Sequence, residues 1–250
     1  MKEKVKHRSN WFYGWTIVAI CTVTMTLGYG VRHSFGVFFP PILDEFGWSR
    51  GSTAVMLSIH LFVYGCIAPF AGALSDRWSA KGLILSGALV TGLATVSCGL
   101  ASQLWHFYAI FGILTPIGLA FVGAPIINPT ITNWFYKFRG IAFSLAQMGG
   151  GLSFLYAIYA ESMISMFGWR KAYFVLGITL SVILIPMLLR FYVYHPREKR
   201  LGALGLEAKT FDLGRRSVNV EKGFNWTLRQ ASRTYQLWLL VISQTLFWGV

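Results

Sequence analysis

The stretch GALSDRWSAKG, residues 72 to 82, places three charges between two long apolar runs. Asp76, Arg77 and Lys81 are the charged residues of this stretch, and no other occurs between residues 51 and 136. A bilayer core about 30 Å thick needs roughly 20 apolar residues for each helix that crosses it. The three charges therefore indicate a short turn outside the membrane, between two spanning helices.

The overall composition is that of a membrane protein. The 250 residues are 55% hydrophobic and 12% charged, whereas about a quarter of the residues of a soluble domain are charged. The net charge of +13 comes from short basic segments between apolar runs, so nucleic acid is not expected as a partner. Three isolated cysteines, without CxxC or histidine at metal-ligand spacing, predict no metal site. No cofactor and no enzyme activity are expected, because phosphate-binding loops and catalytic motifs are absent from the sequence.

Six apolar segments are long enough to cross a bilayer, which predicts an all-α membrane protein. The predicted spans are residues 13–39, 53–73, 82–101, 106–132, 140–164 and 171–194. A seventh span begins near Gln236 and reaches only Val250. The predicted organisation is a cytoplasmic N-terminus (1–12), a six-span bundle (13–194), a cytoplasmic central linker with an interfacial helix (195–235) and a truncated seventh span (236–250).

The distribution of basic residues predicts the orientation. Eighteen Lys and Arg residues fall on the side of the N-terminus, and three fall in the opposite loops. Cytoplasmic segments of membrane proteins are enriched in Lys and Arg. We therefore expect an integral multi-pass protein of the plasma or cell inner membrane with a cytoplasmic N-terminus.

Two basic segments resemble known sequence motifs. The stretch GALSDRWSAKG resembles the loop between the second and third spans of the major facilitator superfamily, and RGIAFS at residues 139–144 resembles the start of that superfamily's fifth span. The matching loop residues are Gly72, Asp76, Arg77 and Lys81, with Ser79 where the pattern has glycine. The resemblance implies that Asp76 and Arg77 latch a cytoplasmic gate, and we group Gly72, Lys81 and Arg139 with them.

Three further stretches narrow the resemblance. FYGWTIV (12–18), VRHSFGVFFPPILDEFGWSR (31–50) and WTLRQASRTYQLWLL (226–240) are similar to the monocarboxylate transporters and, more closely, to the prokaryotic oxalate/formate antiporter group. That family has twelve spans. The resemblance therefore implies the six-helix N-terminal half of a major facilitator fold plus the start of a seventh span, with the C-terminal half of the same polypeptide missing.

The resemblance also implies a function. We expect a small organic anion, a monocarboxylate or dicarboxylate, to be moved by proton symport or anion exchange with alternating access. The partners are then the anion, protons and the lipid bilayer. As a fragment, the chain alone is predicted not to transport.

Charged residues inside a membrane are pointers to a transport pathway. Arg32 and His33 lie in the first span, and Tyr29 lies one turn before His33. Arg32 either binds an anion in a cavity or extends to the outer headgroups. His33 is the proton candidate, since an unperturbed histidine has a pKa near 6.5. The resemblance also places His33 where the family has a basic residue in proton and substrate coupling.

Other intramembrane polar residues are weaker candidates. Asn128, which precedes Pro129, and Gln147 complete the candidate set for solute and protons. His60 and Tyr64 share a helix face, which suits either a cavity wall or a hydrogen bond between helices, and the hydrogen bond is favoured. Glu161 is expected to reach water or to pair with Arg170, and the glycines at 149–151 to permit close packing and bending. Asp76 is expected to cap the third helix or to face another helix's N-terminus.

Two other functions stay open. A facilitator of another solute, such as a drug or sugar, has the same architecture, but a cationic solute favours an acidic residue near the midplane, and the six spans have none there. A non-transporting membrane sensor or scaffold needs a soluble output domain, and the linker at 195–235 is too short for one. A half-size protein that dimerises is disfavoured by the truncated seventh span.

Overall fold

The computed structural model describes residues 12–199, 201–204, 230 and 233–248. The chain divides into two compact units, one ending at Glu207 and one beginning at Ala208. Within the described part, six helices are long and apolar enough to cross a membrane. These helices confirm the all-α membrane bundle. The predicted interfacial helix near residues 226–235 falls almost wholly outside the described residues.

The helix bounds differ from the predicted spans mainly at their ends. The first span consists of Tyr13–His33 and Phe35–Phe46, the second of Arg50–Arg77, the third of Ala80–Cys98, the fifth of Arg139–Phe167 and the sixth of Trp169–Phe191. The fourth span is built from Leu104–Phe107, a π-helix at Tyr108–Leu114, Thr115–Val122 and Ala124–Trp134. A 3₁₀ turn, Pro196–Lys199, follows the sixth span, and the second unit contains the helix Tyr235–Trp248.

The six spans pack in a pattern with internal symmetry. The first span packs on the fifth and the second on the fourth, while the third packs on the sixth. If the first span is exchanged with the fourth, the second with the fifth and the third with the sixth, the same three pairs result. Transporter folds are often built from such three-helix repeats, inverted because each repeat has an odd number of spans. The first and fourth spans are then equivalent members of the two repeats.

Close approach between helices depends on glycine at specific positions. A Cβ atom at Gly118 would lie 2.8 Å from the backbone nitrogen of Thr91, so the third and fourth spans touch through their backbones. At Gly72, by contrast, no described residue lies within 4 Å of the equivalent position, so this glycine does not serve a close contact within the six-span bundle.

A polar network ties three helix ends together at the end of the bundle remote from Asp76. The Arg170 guanidinium bonds Glu45 Oε1 at 2.8 Å and donates to the Ala101 carbonyl at 2.9 Å. Trp169 Nε1 donates to the other oxygen of Glu45. Glu161 is exposed. Of the two alternatives expected for Glu161, the exposed side chain fits contact with water and not the pair with Arg170, which turns towards the first span instead.

This network predicts an order of stabilities. Glu45→Gln is expected to cost less than about 1 kcal/mol, because both partners of the ion pair are substantially exposed. Arg170→Met is expected to cost about 1–3 kcal/mol, because it also removes the donor to a backbone carbonyl. Glu161→Gln is the control and should leave stability unchanged. Thermal unfolding of the purified chain in detergent checks the order, and equal effects of Arg170→Met and Glu161→Gln would contradict it.

Candidate functional site

Two spans are interrupted at mid-membrane positions. In the first span, Ser34 separates the helices Tyr13–His33 and Phe35–Phe46, although it keeps a right-handed α backbone and its hydroxyl and amide both donate to the Gly30 carbonyl. The fourth span breaks at Gly123, which has an extended backbone between two helices. These two spans are equivalent members of the three-helix repeats. Interrupted helices at corresponding positions of two repeats are characteristic of binding sites in transporters.

An arginine–tyrosine cluster, formed by Tyr29, Arg32, Tyr64 and Gly123, lies beside these interruptions. The Tyr29 and Tyr64 hydroxyls are 3.0 Å apart. The Arg32 guanidinium carbon lies 4.8 Å from the Tyr29 ring centroid and 5.8 Å from that of Tyr64. A Cβ atom on Gly123 would lie 3.2 and 3.1 Å from the two hydroxyls. Glycine therefore lets the broken fourth span reach the hydroxyl pair.

Arg32 lies deep in the first span. The predicted end of that span, Phe39, is too early, because the helix continues through Pro40 and Pro41 to Phe46. The rise of an α-helix puts Arg32 about 20 Å from that end. Its partner Tyr64 also lies near the middle of the Arg50–Arg77 helix. The guanidinium contacts tyrosine rings at this depth and does not extend to the headgroups.

His33 contacts the fifth span, while its ring also lies against that of Tyr29 in the cluster, with centroids 6.4 Å apart. Its Nδ1 lies 2.6 Å from Ser153 Oγ, and Ser153 donates its own proton to the Gly150 carbonyl. Nδ1 therefore carries the hydrogen and donates to Ser153, which leaves Nε2 as the acceptor. The imidazole stacks on Phe154, with centroids 4.7 Å apart. Arg32 and His33, although adjacent, thus contact different spans.

Asn128 and Gln147 are brought together nearer the charged turn. Gln147 Nε2 donates to Asn128 Oδ1 at 3.4 Å. Asn128 also lines a cavity of about 780 Å³ that opens beside the turn between the second and third spans. Other residues that line this cavity are Asp76, Lys81, Asn133 and Tyr194. The predicted polar residues therefore fall in two groups, one at the interrupted helices and one at this cavity.

The charged turn itself is organised differently from expectation. Ser79 caps the third helix by accepting a hydrogen bond from the Gly82 amide, so Asp76 does not fill the first of the two roles expected for it. Asp76 and Arg77 are both exposed. Burial, and secondarily the Asp76 carboxylate, raise the pKa of the Tyr194 phenol. Tyr194 therefore stays neutral near Asp76 at physiological pH.

Lys81 and Arg139 at this end bond to backbone carbonyls. Lys81 Nζ donates to the carbonyl of Leu189 at 2.8 Å, in the last turn of the sixth span. A cation stabilises the negative end of a helix dipole. Arg139 Nε donates to the Phe135 carbonyl at 2.6 Å. Both side chains thus hold the ends of the spans in place.

His60 is fully buried and makes the favoured hydrogen bond between helices. Its Nδ1 lies 2.9 Å from the carbonyl oxygen of Phe111 in the fourth span. Tyr64, one turn later, belongs to the arginine–tyrosine cluster. On this helix face, His60 thus makes a structural hydrogen bond and Tyr64 is a candidate site residue.

Three residues near the candidate site carried little sequence signal. Gly123 precedes Pro125 within an apolar run, and this Gly-x-Pro pattern is a turn signal that points to the break. Ser153 and Phe154 lie in an ordinary apolar helix. Their contacts with His33 arise from packing between spans, which the periodicity of one helix does not encode.

Comparison with known proteins places the chain among membrane carriers. The sequence of residues 18–250 matches the Major Facilitator Superfamily. Monocarboxylate transporter 11 of Homo sapiens is 34% identical over 205 residues, which cover 79% of this chain and 43% of that protein. The uncharacterized MFS-type transporter YcxA of Bacillus subtilis is 28% identical over 192 residues, covering 76% of this chain and 45% of that protein.

The fold also matches a solved structure. A bacterial homolog of the human lysosomal transporter Spinster, in an inward-facing and unoccupied conformation, aligns with a TM-score of 0.65 at 19% identity. The alignment covers 84% of this chain and 50% of that chain. The chain thus spans less than half the length of the curated relatives described above.

Proposed function

Because the chain belongs to the Major Facilitator Superfamily, whose members are carriers and not enzymes, we propose that it forms the N-terminal half of a secondary transporter for a small organic carboxylate. The observation that carries the proposal is the Arg32 guanidinium beside Tyr29 and Tyr64 at the interrupted helices. The names of relatives such as monocarboxylate transporter 11 support the same solute class.

The electrostatics of the cluster favour an anion. Within the described residues the one ion pair joins Arg170 and Glu45, remote from Arg32. A cation in a low-dielectric site is costly unless an opposite charge compensates it. The tyrosine rings compensate partly through cation–π attraction. A carboxylate seated against the guanidinium would complete the compensation and accept hydrogen bonds from the tyrosine hydroxyls.

His33 is the proposed proton carrier of the pathway. Its Nδ1 carries a hydrogen and donates it to Ser153, so Nε2 is the atom that takes up a proton. A protonated imidazole next to Arg32 would add to the positive potential at the anion site. Proton uptake would then favour binding of the carboxylate, as symport requires. Anion exchange would use the same site without a change in the protonation of His33.

Alternating access is the proposed mechanism, and it needs a second half. Asp76 and Arg77 are exposed at the charged turn, where they would latch a cytoplasmic gate against residues beyond Val250. Asn128 and Gln147 would line the path between this gate and the cluster. The proposed organisation is a cytoplasmic N-terminus (1–12), the six-span half (13–194), a cytoplasmic linker (195–235) and the start of a seventh span (236–250).

Uptake by the full-length protein in proteoliposomes tests the function. The probes are radiolabelled lactate, oxalate, glucose and tetraphenylphosphonium, each with and without an inward proton gradient. We expect saturable uptake of a carboxylate, and an increase on acidification outside indicates symport. Uptake of glucose or of the lipophilic cation without carboxylate uptake would replace the proposal with a sugar or drug carrier.

His33→Gln separates proton coupling from anion binding. The variant is expected to lower gradient-driven carboxylate uptake about tenfold or more, because a positioned proton carrier contributes roughly 10²–10⁴-fold in comparable proton transfers. Exchange of internal for external carboxylate should change much less. His106→Gln, in the short helix Leu104–Phe107 and outside the proposed pathway, is the matched control. Equal loss of both transport modes would refute the assigned role of His33.

A further inference from the structure

The fourth span contains a carbonyl group that its own helix does not satisfy. In the π-helix Tyr108–Leu114, the amide of Thr115 donates to the carbonyl of Ile110, five residues back. The Thr115 hydroxyl donates to the same carbonyl at 2.9 Å. The Phe111 carbonyl would next receive the amide of residue 116, but residue 116 is proline and has no N–H. Phe111 therefore loses both its α-helical and its π-helical donor.

His60 of the second span supplies the missing donor. Its Nδ1 lies 2.9 Å from the Phe111 carbonyl oxygen, and a carbonyl only accepts, so Nδ1 carries the hydrogen. The imidazole also packs on the Phe111 ring, with centroids 4.9 Å apart. Nε2 is buried and has no hydrogen-bond partner among the described residues. His60 therefore acts here as a neutral donor.

We propose that His60 is a positioning residue that holds the fourth span in its π-helical register and thereby places Gly123 against the Tyr29–Tyr64 hydroxyl pair. For its transport readout, this inference rests on the proposed function. The histidine contacts neither the solute site nor the guanidinium directly. It acts through the helix, by satisfying the one carbonyl that the register and Pro116 leave open.

The π-helical register of the fourth span determines which face of the span, after the π-helix, is turned towards Tyr29 and Tyr64. Each residue turns an α-helix by about 100°, and a π-turn contains one residue more than an α-helical turn. Conversion of this π-turn into regular α-helix would therefore rotate the rest of the fourth span by about 100°. Within the π-helix itself, Gly112 packs against Ile59, with a Cβ position 3.0 Å from the isoleucine Cγ2. With that contact fixed, a return to α-helical register would turn Gly123 away from the tyrosine hydroxyls.

A cycle of variants in the full-length protein tests the inference. His60→Ala removes the donor, and His60→Asn keeps an N–H near the position of Nδ1. Pro116→Ala gives residue 116 the amide that the Phe111 carbonyl lacks, so His60→Ala/Pro116→Ala should recover what His60→Ala loses. Two quantities are measured for each variant, namely the KM and maximal rate of carboxylate uptake and the Tm in detergent.

The expected pattern is specific. His60→Ala should raise KM several-fold and lower Tm by about 2–8 °C, as one buried unsatisfied carbonyl predicts. His60→Asn and the double variant should recover most of both changes. A double variant no better than His60→Ala, or a His60→Ala variant with unchanged KM and Tm, would overturn the inference. If the wild type transports no carboxylate, the proposed function fails, while the Tm cycle still decides whether His60 replaces the missing amide.

Discussion

Arg32→Gln in the full-length protein is expected to reduce carboxylate uptake on the order of 100-fold at subsaturating concentration. Truncating one partner of a buried, hydrogen-bonded charge pair costs about 2–5 kcal/mol, and 2.7 kcal/mol corresponds to roughly a factor of 100. The effect should appear mainly in KM, because the guanidinium is proposed to bind the anion. Initial uptake rates in proteoliposomes measure it. A KM within twofold of the wild type would remove Arg32 from the binding site.

The stability of the same variant should move in the opposite direction. Arg32 has no acidic partner in the described part of the chain, so replacing this half-buried cation with a neutral amide is expected to leave Tm unchanged or raise it. A loss of transport with a retained Tm then excludes misfolding as the cause. Arg50→Gln, at the exposed start of the second span, is the matched control and should leave both quantities unchanged.

Variants of the two tyrosines are expected to weaken carboxylate binding by smaller amounts. Tyr29→Phe and Tyr64→Phe each keep a ring near the guanidinium and remove one hydroxyl of the pair. Loss of a hydrogen bond to a charged group costs about 1.5–3 kcal/mol, so each variant should weaken carboxylate binding less than Arg32→Gln does. Arg32→Lys should fall between these variants and Arg32→Gln, because lysine keeps the charge and lacks the bidentate fork.

The number and order of spans were predictable because the bilayer restricts what a spanning segment can be. Every backbone group in hydrocarbon needs an internal partner, so long apolar runs must be helices. The ends were less predictable. The first span was expected to end at Phe39, yet Pro40 and Pro41 lie inside the helix. The sixth was expected to end at Tyr194 and ends at Phe191, because aromatic residues belong equally to a helix end and to the interface.

The candidate site was predictable only in part, because its polar contacts join different spans. Arg32 and His33 were marked by charge inside an apolar run, which needs no knowledge of packing. Which neighbour each one contacts depends on how the helices are rotated about their axes. The contact of Ser153 with His33 and that of Gly123 with the tyrosines follow from that packing, even though the Gly-x-Pro pattern marks Gly123 as a turn. The sequence thus identifies the charged residues that are costly to place inside a membrane, while the structure shows which residues surround them.

Gly149→Ala is expected to destabilise the six-span bundle by about 3 kcal/mol, the upper end for an overpacked site. An added Cβ at this position would overlap the carbonyl oxygen of Thr22 in the first span and lie 3.0 Å from Met25 Cβ. Since the overlap is with backbone, no side-chain rotation relieves it. The first and fifth spans would have to separate, which also strains the bond from the Thr22 hydroxyl to the Leu145 carbonyl at 3.0 Å.

The neighbouring glycines provide the control, because all three were expected to serve close packing and only Gly149 does. Gly150 and Gly151 have nothing within 4 Å of an added Cβ, so alanine there should be neutral or stabilise the helix by up to about 1 kcal/mol. Thermal unfolding in detergent should therefore show a Tm lowered by about 6–12 °C for Gly149→Ala, with no loss for the other two variants. Equal Tm values for all three would show that the first and fifth spans do not depend on glycine for their contact. Unequal values in the expected order would instead locate the tightest point of that contact one turn before Ser153, where the fifth span holds His33.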